Sequence, residues 1–153
     1  MRINIKSIVH LYTPPLLWAG FILIVSATPE PLSRLLGDTQ PIEAALTVFG
    51  INILGLLDYP YHFLVYFVLA FLAARAIFWR RVPTTRQLLR VFVLVMVIAV
   101  VDEVQQLFIP TRNFEVIDLV MDGLGAAAGL VFFVKVGIVK QTEYRGPKTG
   151  EEL

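Results

Sequence analysis

The chain has 153 residues, of which 57% are hydrophobic and only 16% are charged, and its formal net charge is +1. A soluble domain carries about 25% charged residues, so this composition predicts a single-domain, all-α, polytopic membrane protein. The small net charge argues against nucleic acid as a partner, and the absence of cysteine excludes disulfides, thiolate nucleophiles and cysteine-ligated metals.

Four apolar segments are long enough to span a bilayer, which takes about 20 residues in a helix. They are predicted at about 8–28, 60–79, 88–110 and 116–139. The first follows basic residues and contains Val25-Ser26-Ala27, a pattern that a cleaved signal peptide also shows. Its apolar stretch exceeds the usual length of about 7–15 residues, which favours a retained span. Pro14 and Pro15 are expected near the start of this span, where missing amide donors cost least.

The longest connection lies between the first two spans. Its second half, IEAALTVFGINILGLL, is apolar but short and is interrupted by Gly50 and Gly55. This pattern predicts an interfacial or re-entrant helix on the outer face, or a cap over the site described below. The polar segment 141–153 is predicted to be a disordered cytoplasmic tail, so that residues 1–140 form the transmembrane domain.

The distribution of Lys and Arg predicts the orientation. Ten of these residues flank the two chain termini and the connection between spans two and three, whereas the other two connections hold only Arg34 and Arg112. By the positive-inside rule both termini lie in the cytoplasm, as an even number of spans requires. The ten are Arg2, Lys6, Arg80, Arg81, Arg86, Arg90, Lys135, Lys140, Arg145 and Lys148.

Polar residues collect at the predicted outer ends of three spans. At the start of the second span Asp58, His62 and Tyr66 are four apart and share one helical face. The third span ends, and the fourth begins, with further acids and amides at spacings of three and four. The resulting candidate ligand-binding residues are Asp58, His62, Tyr66, Glu103, Gln106, Arg112, Asp118 and Asp122.

Acids in a membrane span are informative because a charge at the bilayer centre costs about 2.5–3.5 kcal/mol on insertion scales. The acids of these spans must therefore point inward and share hydrogen bonds, protons or a cation; they are Asp58, Asp102, Glu103, Asp118 and Asp122. Only Arg112 and a protonated His62 offset them. No cofactor is indicated by a motif, but a divalent cation on His62, Glu103 and Asp118 is one open alternative.

Each of these residues also has a purely structural interpretation. His62 could simply bridge two helices by hydrogen bonds, and Arg112 is expected to pair with Asp118. Asp102 and Asp122 are expected to be structural, satisfied by neighbours on their own helices. The helical face that carries Asp118 and Asp122 continues into Gly125 and Gly129, which are four apart, a spacing typical of a close helix-packing face.

These same residues resemble the VanZ-like family of small membrane proteins. One block is D-x-x-x-H-F, from Asp58 to Phe63 with Tyr66 following. The other is E-x-x-Q-x-x-x-P-x-R-x5-D-x3-N-x-x-G-x-x-x-G, here from Glu103 to Gly129. The chain departs from this pattern where the family usually has asparagine and this sequence has Asp122. The resemblance implies a multi-pass protein of the bacterial cytoplasmic membrane; the family is named after a factor that gives low-level resistance to teicoplanin.

Several functions remain open at this stage. The acidic pocket could bind a membrane lipid or a lipid-linked cell-envelope precursor, or it could belong to a metal-dependent hydrolase or transferase acting on such a substrate. A structural or assembly role, with the polar cluster locking the helices in register, is a third alternative. An ion-coupled transporter is a fourth, and four spans would then have to dimerise. A homo-oligomer or a membrane partner protein is compatible with each of them.

Overall fold

Four helices and one very short strand pair make up the computed structural model, which describes residues 5–27, 47–48, 51–78, 82–109 and 114–144. The helices are α1 (Ile5–Ser26), α2 (Ile53–Ile77), α3 (Thr85–Gln106) and α4 (Val116–Tyr144). The strands β1 (Thr47–Val48) and β2 (Ile51–Asn52) are antiparallel, with Thr47 opposite Asn52. The prediction of a helical fold is confirmed.

Three of the helices are long and apolar enough to cross a membrane, among the residues that the structure describes. These segments are Ile8–Ser26, Asp58–Ile77 and Val116–Val136. The protein is therefore a helical membrane protein. Helix α3 has the length of a span but carries Arg86 and Arg90 near one end and Asp102 and Glu103 near the other, so its insertion as a fourth span stays a prediction.

The apolar segment before the second predicted span does not form a separate helix in its described part. Its last residues are continuous with α2, which begins at Ile53 rather than near residue 60, and the residues before them pair as β1 and β2. Thr47, Val48 and Ile51 are β-branched, which favours extended backbone. The position of this segment relative to a membrane stays a prediction.

Two helix boundaries differ from expectation in ways that matter physically. Because α1 already begins at Ile5, Pro14 and Pro15 lie in its interior and not in its first turn. Membrane helices tolerate such prolines because neighbouring helices and local adjustments satisfy the freed carbonyls. Helix α4 continues to Tyr144, so the predicted tail begins later than Gln141. Gln and Glu are good helix formers and extend an existing helix readily; residues 145–153 lie outside the described residues.

Helices α2 and α4 run parallel and approach each other at two glycines. A Cβ on Gly125 would overlap the carbonyl oxygen of Phe63, and a Cβ on Gly129 would overlap that of Phe67. The carbonyl carbons of these phenylalanines would lie only 2.9 and 3.1 Å away. Any side chain larger than hydrogen would push the helices apart, so this interface fixes how α4 is positioned against α2.

The core lies mainly between α2, α3 and α4, with Ile22 added from α1, and combines small and β-branched side chains with a few larger ones such as Leu69 and Phe78. It includes Ala70, Ala74, Val91, Val95 and Ala99, all buried. Tyr66 contacts Asp102 near one end of the bundle, while Phe78 and Val91 line a common groove near the other, so α2 and α3 are antiparallel. Large apolar side chains cover the outside of all four helices, as expected where acyl chains are the solvent.

Candidate functional site

Seven polar side chains are buried together at one end of the bundle, where α1 and α3 end and where the apolar sections of α2 and α4 begin. Each of them is at most 5% exposed. They belong to all four helices, whereas the sequence predicted contributions from three. The residues are Ser26, His62, Asp102, Glu103, Gln106, Asp118 and Asp122.

The imidazole of His62 lies between two acids of α4. Its Nδ1 is 2.9 Å from Oδ1 of Asp122, a hydrogen bond, and its Nε2 is 3.8 Å from Oδ2 of Asp118, which is too long for one. An ionised carboxylate can only accept, so the Asp122 contact assigns a proton to Nδ1. In the neutral imidazole the lone pair is then on Nε2, facing Asp118.

Glu103 joins the end of α3 to the beginning of α4. Its Oε1 accepts a hydrogen bond from Nε2 of Gln106 at 3.2 Å, and its Oε2 accepts one from the backbone N–H of Glu115 at 3.1 Å. Glu115 immediately precedes α4, where backbone N–H groups are free and the helix dipole favours a negative group. These contacts hold the carboxylate of Glu103 against the α4 terminus.

His62, Glu103 and Asp118 each offer one possible ligand atom within a small volume. These three atoms all lie within 4.8 Å of one another, and all three residues are buried. They come from α2, α3 and α4, so helix packing alone assembles them. One imidazole nitrogen and two carboxylate oxygens form a donor set that can hold a divalent cation or hydrogen-bond a cationic or hydroxyl group.

A second polar contact set lies beside this one and involves α1. The hydroxyl of Tyr66 donates to Oδ2 of Asp102 at 3.3 Å, and the side chain of Ser26 also hydrogen-bonds Asp102. Tyr66 is fully buried, and Asp102 is 1% exposed. Asp102, itself on α3, thus links α1 and α2 to that helix. The hydrogen bonds from Tyr66 and Ser26 offset part of the cost of burying this acid.

Helix α1 is held to the bundle by two further side-chain contacts to backbone oxygens. Nε1 of Trp18 donates to the carbonyl oxygen of Val65 at 2.9 Å, and Nε2 of Gln105 donates to that of Leu23 at 2.8 Å. Sequence reasoning did not identify Trp18, Gln105 or Ser26 as parts of the site. The sequence feature that could have identified them is a polar group on or beside an otherwise apolar span.

Carboxylates outnumber positive groups in this cluster. Asp102, Glu103, Asp118 and Asp122 are buried, and within the described residues the ion pairs that reach these acids are both made by His62. Within the part of the chain that the structure describes, three buried carboxylate oxygens have no hydrogen-bond partner, one on each of the three aspartates. An unsatisfied buried polar atom is costly and rare, so these oxygens are the unusual feature of the cluster.

Some predicted members lie elsewhere. Asp58 is exposed at the rim, although it still interacts electrostatically with His62 and Asp118. Arg112 lies outside the described residues, so its pairing with Asp118 stays a prediction. The expectation that Asp102 and Asp122 are satisfied on their own helices is wrong. Their partners come from α1 and α2, because each side chain points across a helix interface.

The sequence blocks that build this site also define a family. The family model for VanZ/LLP1 matches residues 16–139, which include the described parts of the site, most of the first apolar span and the whole of the other two. The chain belongs to the VanZ/LLP1 family. No significant match was found among curated proteins or among solved structures.

Asp122 is the position at which the sequence departs from the VanZ-like pattern given above, where asparagine is expected, and it is the direct hydrogen-bond partner of His62. An asparagine oxygen accepts the same hydrogen bond but carries no charge. The acid in this chain therefore keeps the contact and adds one negative charge beside the imidazole.

Proposed function

We propose that this VanZ-family protein binds, in its buried acidic site, a cationic or hydroxyl-bearing group of a lipid-linked cell-envelope molecule or of a lipoglycopeptide such as teicoplanin. In this proposal it is a four-span protein of the bacterial cytoplasmic membrane with both termini in the cytoplasm and the site at the outer leaflet. Occupancy of the site alters susceptibility to teicoplanin-type glycopeptides, as the family's name implies.

Support for a four-span topology comes from the surface of α3. Leu89, Val93, Val97, Val100 and Val104 are apolar and exposed along this helix, which is unfavourable in water and ordinary against lipid. The clustering of Lys and Arg near the termini and the α2–α3 connection supports an outward-facing polar cluster.

The observation that carries the proposal is one buried oxygen each on Asp118 and Asp122 that has no hydrogen-bond partner among the described residues. A polar contact between membrane helices stabilises by only about 0.6 kcal/mol on average. Burying four acids around one imidazole costs more than such contacts return, because each uncompensated charge carries a desolvation penalty of several kcal/mol. A ligand that donates hydrogen bonds or brings positive charge removes this penalty.

The chemistry of the site restricts the ligand class. Ionised carboxylates only accept hydrogen bonds, and they accept best from ammonium and hydroxyl groups. Exposed Asp58 extends the negative surface to the rim, while exposed Leu64, Ile117 and Val120 lie on the outside of α2 and α4. A molecule with a polar head and an acyl chain matches both surfaces.

The test measures teicoplanin binding to the full chain in nanodiscs, together with teicoplanin susceptibility of cells that express it. Glu103→Gln and Asp118→Asn are expected to lower affinity by at least about tenfold each, since each removes a charged partner. Glu115→Gln, an exposed acid at the same end, is the matched control and should change binding far less. Unchanged binding and susceptibility in both site variants would exclude the proposal.

A second candidate function is a hydrolase or transferase acting on a lipid-linked substrate, dependent on a divalent metal. The His62–Asp122 hydrogen bond favours it, because a carboxylate on Nδ1 orients an imidazole as metal ligand or general base through Nε2. Turnover of a lipid-linked wall precursor by the purified protein, abolished by His62→Gln and by chelation, supports this function. Intact precursor after prolonged incubation with metal argues against it.

A further inference from the structure

We propose that Nε2 of His62 and one carboxylate oxygen each of Glu103 and Asp118 bind a single divalent transition-metal ion of the Zn²⁺ and Mn²⁺ class. The site lies inside the pocket of the proposed function. This inference rests on that function, because the bound ion would hold an oxygen of the ligand that the pocket binds. The ion would be held by α2, α3 and α4 at once.

The three possible ligand atoms are close enough to bind the same ion, whereas the nitrogen and oxygen of His62 and Asp118 are too far apart to hydrogen-bond each other directly. One possible ligand atom from each residue lies within 4.8 Å of the other two, and Nε2 of His62 is 3.8 Å from Oδ2 of Asp118. Zinc–nitrogen and zinc–oxygen bonds of about 2.0–2.2 Å place two tetrahedral ligands roughly 3.3–3.6 Å apart. The separation between His62 and Asp118 therefore closes to coordination distance with a shift of about 0.2–0.5 Å, and Glu103 needs a shift of at most about 1.5 Å, within the reach of a side-chain adjustment.

The contact between His62 and Asp122 prepares the imidazole for this role. Asp122 accepts the Nδ1 proton at 2.9 Å, which leaves the Nε2 lone pair directed at Asp118. Metal-binding histidines almost always donate their other ring N–H to a carboxylate or carbonyl, which fixes the ring and makes it a stronger ligand. Glu103 is fixed similarly by Gln106 and by the backbone N–H of Glu115.

An independent observation at Asp118 indicates a missing partner. Asp118 is only 5% exposed, and among the described residues its Oδ1 has no hydrogen-bond partner. The ion pair that the structure describes for its Oδ2 is with the imidazole of His62, at 3.8 Å, a distance beyond hydrogen bonding. A buried carboxylate with neither oxygen held by a donor fits a metal ligand much better than a structural contact, because structural acids in this cluster, such as Asp102, have donors.

The donor set determines the class of metal. One imidazole with two carboxylates suits Zn²⁺ and Mn²⁺, whereas Mg²⁺ and Ca²⁺ prefer oxygen donors alone. Zn²⁺ should bind more tightly than Mn²⁺ by the general affinity order for such sites. Three protein ligands leave a fourth position open, where a hydroxyl or phosphate oxygen of a lipid-linked molecule can bind.

The experiment titrates Zn²⁺, Mn²⁺ and Mg²⁺ into the chelator-treated full chain in nanodiscs. One Zn²⁺ per chain is expected, with weaker Mn²⁺ and no measurable Mg²⁺ binding. His62→Gln and Asp118→Asn should abolish Zn²⁺ binding, Asp122→Asn should weaken it by about 10–100-fold, and Glu115→Gln should leave it unchanged. Thermal unfolding of each variant identifies those that fail to fold, and Co²⁺ loaded in place of Zn²⁺ should give visible absorption bands that His62→Gln removes.

The outcomes separate this inference from the proposed function. Teicoplanin binding that survives chelation, with no Zn²⁺ bound by the wild-type chain, overturns the metal site and leaves the ligand site standing. Stoichiometric Zn²⁺ binding with the expected pattern of variants, but no teicoplanin binding, supports the metal site and counts against the proposed function. Zn²⁺ binding that His62→Gln and Asp118→Asn leave unchanged also overturns the inference.

Discussion

Nδ1 of His62 and Oδ1 of Asp122 are 2.9 Å apart, and this hydrogen bond connects two parallel helices one turn before the glycine contact at Gly125. The close approach of α2 and α4 makes the bond possible, because it brings a side chain from each helix to the same depth. The orientation of the imidazole, and with it the geometry of the site, depends on this pair.

Two substitutions of Asp122 should distinguish the contribution of its hydrogen bond to stability from the contribution of its charge. Asp122→Asn keeps an acceptor for Nδ1 of His62 and is expected to unfold with a free energy close to that of the wild type. Asp122→Ala removes the acceptor, leaves a buried donor unsatisfied and should destabilise by about 1–3 kcal/mol. Chemical denaturation in detergent measures both. Equal destabilisation by the two variants would show that charge, not the hydrogen bond, holds the imidazole.

The glycine interface offers a test with a control on the same helix. Gly125→Ala places a methyl group on the carbonyl of Phe63, a backbone atom that cannot move aside, so a loss of about 1–3 kcal/mol is expected. A Cβ on Gly123 would meet only the Met96 side chain at 3.6 Å, an ordinary contact. Gly123→Ala should therefore be neutral or stabilising by up to about 1 kcal/mol. A similar loss in both variants would contradict the close packing of α2 and α4.

Tyr66 and Asp102 are expected to act on stability and not on binding. Tyr66→Phe removes a hydrogen bond of 3.3 Å and should lower the free energy of unfolding by about 0.6–1.7 kcal/mol. A double-mutant cycle with Asp102→Asn isolates the pair. Zn²⁺ and teicoplanin affinities should remain those of the wild type. A large loss of affinity in Tyr66→Phe would show that the two contact sets are one site.

The orientation can be mapped cleanly because the chain contains no cysteine. A single cysteine at Glu115 should react with a membrane-impermeant maleimide in intact cells or spheroplasts. One at Arg86, exposed at the opposite end of α3, should react only after lysis. The reverse pattern would place the polar cluster on the cytoplasmic side, and labelling of both positions from one side would exclude α3 as a span.

The sequence predicts the four helices well, because apolar length is a local property, whereas the depth of the acids in a membrane stays a prediction. It predicts neither the partner of each acid nor the place of α1. Asp102 and Asp122 contact Tyr66 and His62 across helix interfaces, and which side chains meet there depends on helix rotation and separation. The buried contacts of Trp18 and Gln105 depend on the same geometry, which spacing along one helix does not encode.

Segment boundaries were predicted less well, for a different reason. The sequence predicts a second span from about residue 60, after the interruptions at Gly50 and Gly55, yet α2 begins at Ile53 and includes Pro60. In a membrane protein the cost of a proline inside a helix is offset by neighbouring helices, so the rule that prolines mark helix starts loses force. Apolar strand and helix segments of a few residues also look alike in sequence.

The most direct test of the central claim is the free energy of unfolding of Asp118→Asn in metal-free detergent, measured beside its teicoplanin and Zn²⁺ affinities. If Asp118 serves ligand binding, neutralising this buried acid, which has no hydrogen-bond donor among the described residues, removes a charge that His62 compensates only in part. Stability should then rise while both affinities fall. Lower stability with wild-type affinities would show instead that the acid serves to hold the helices together.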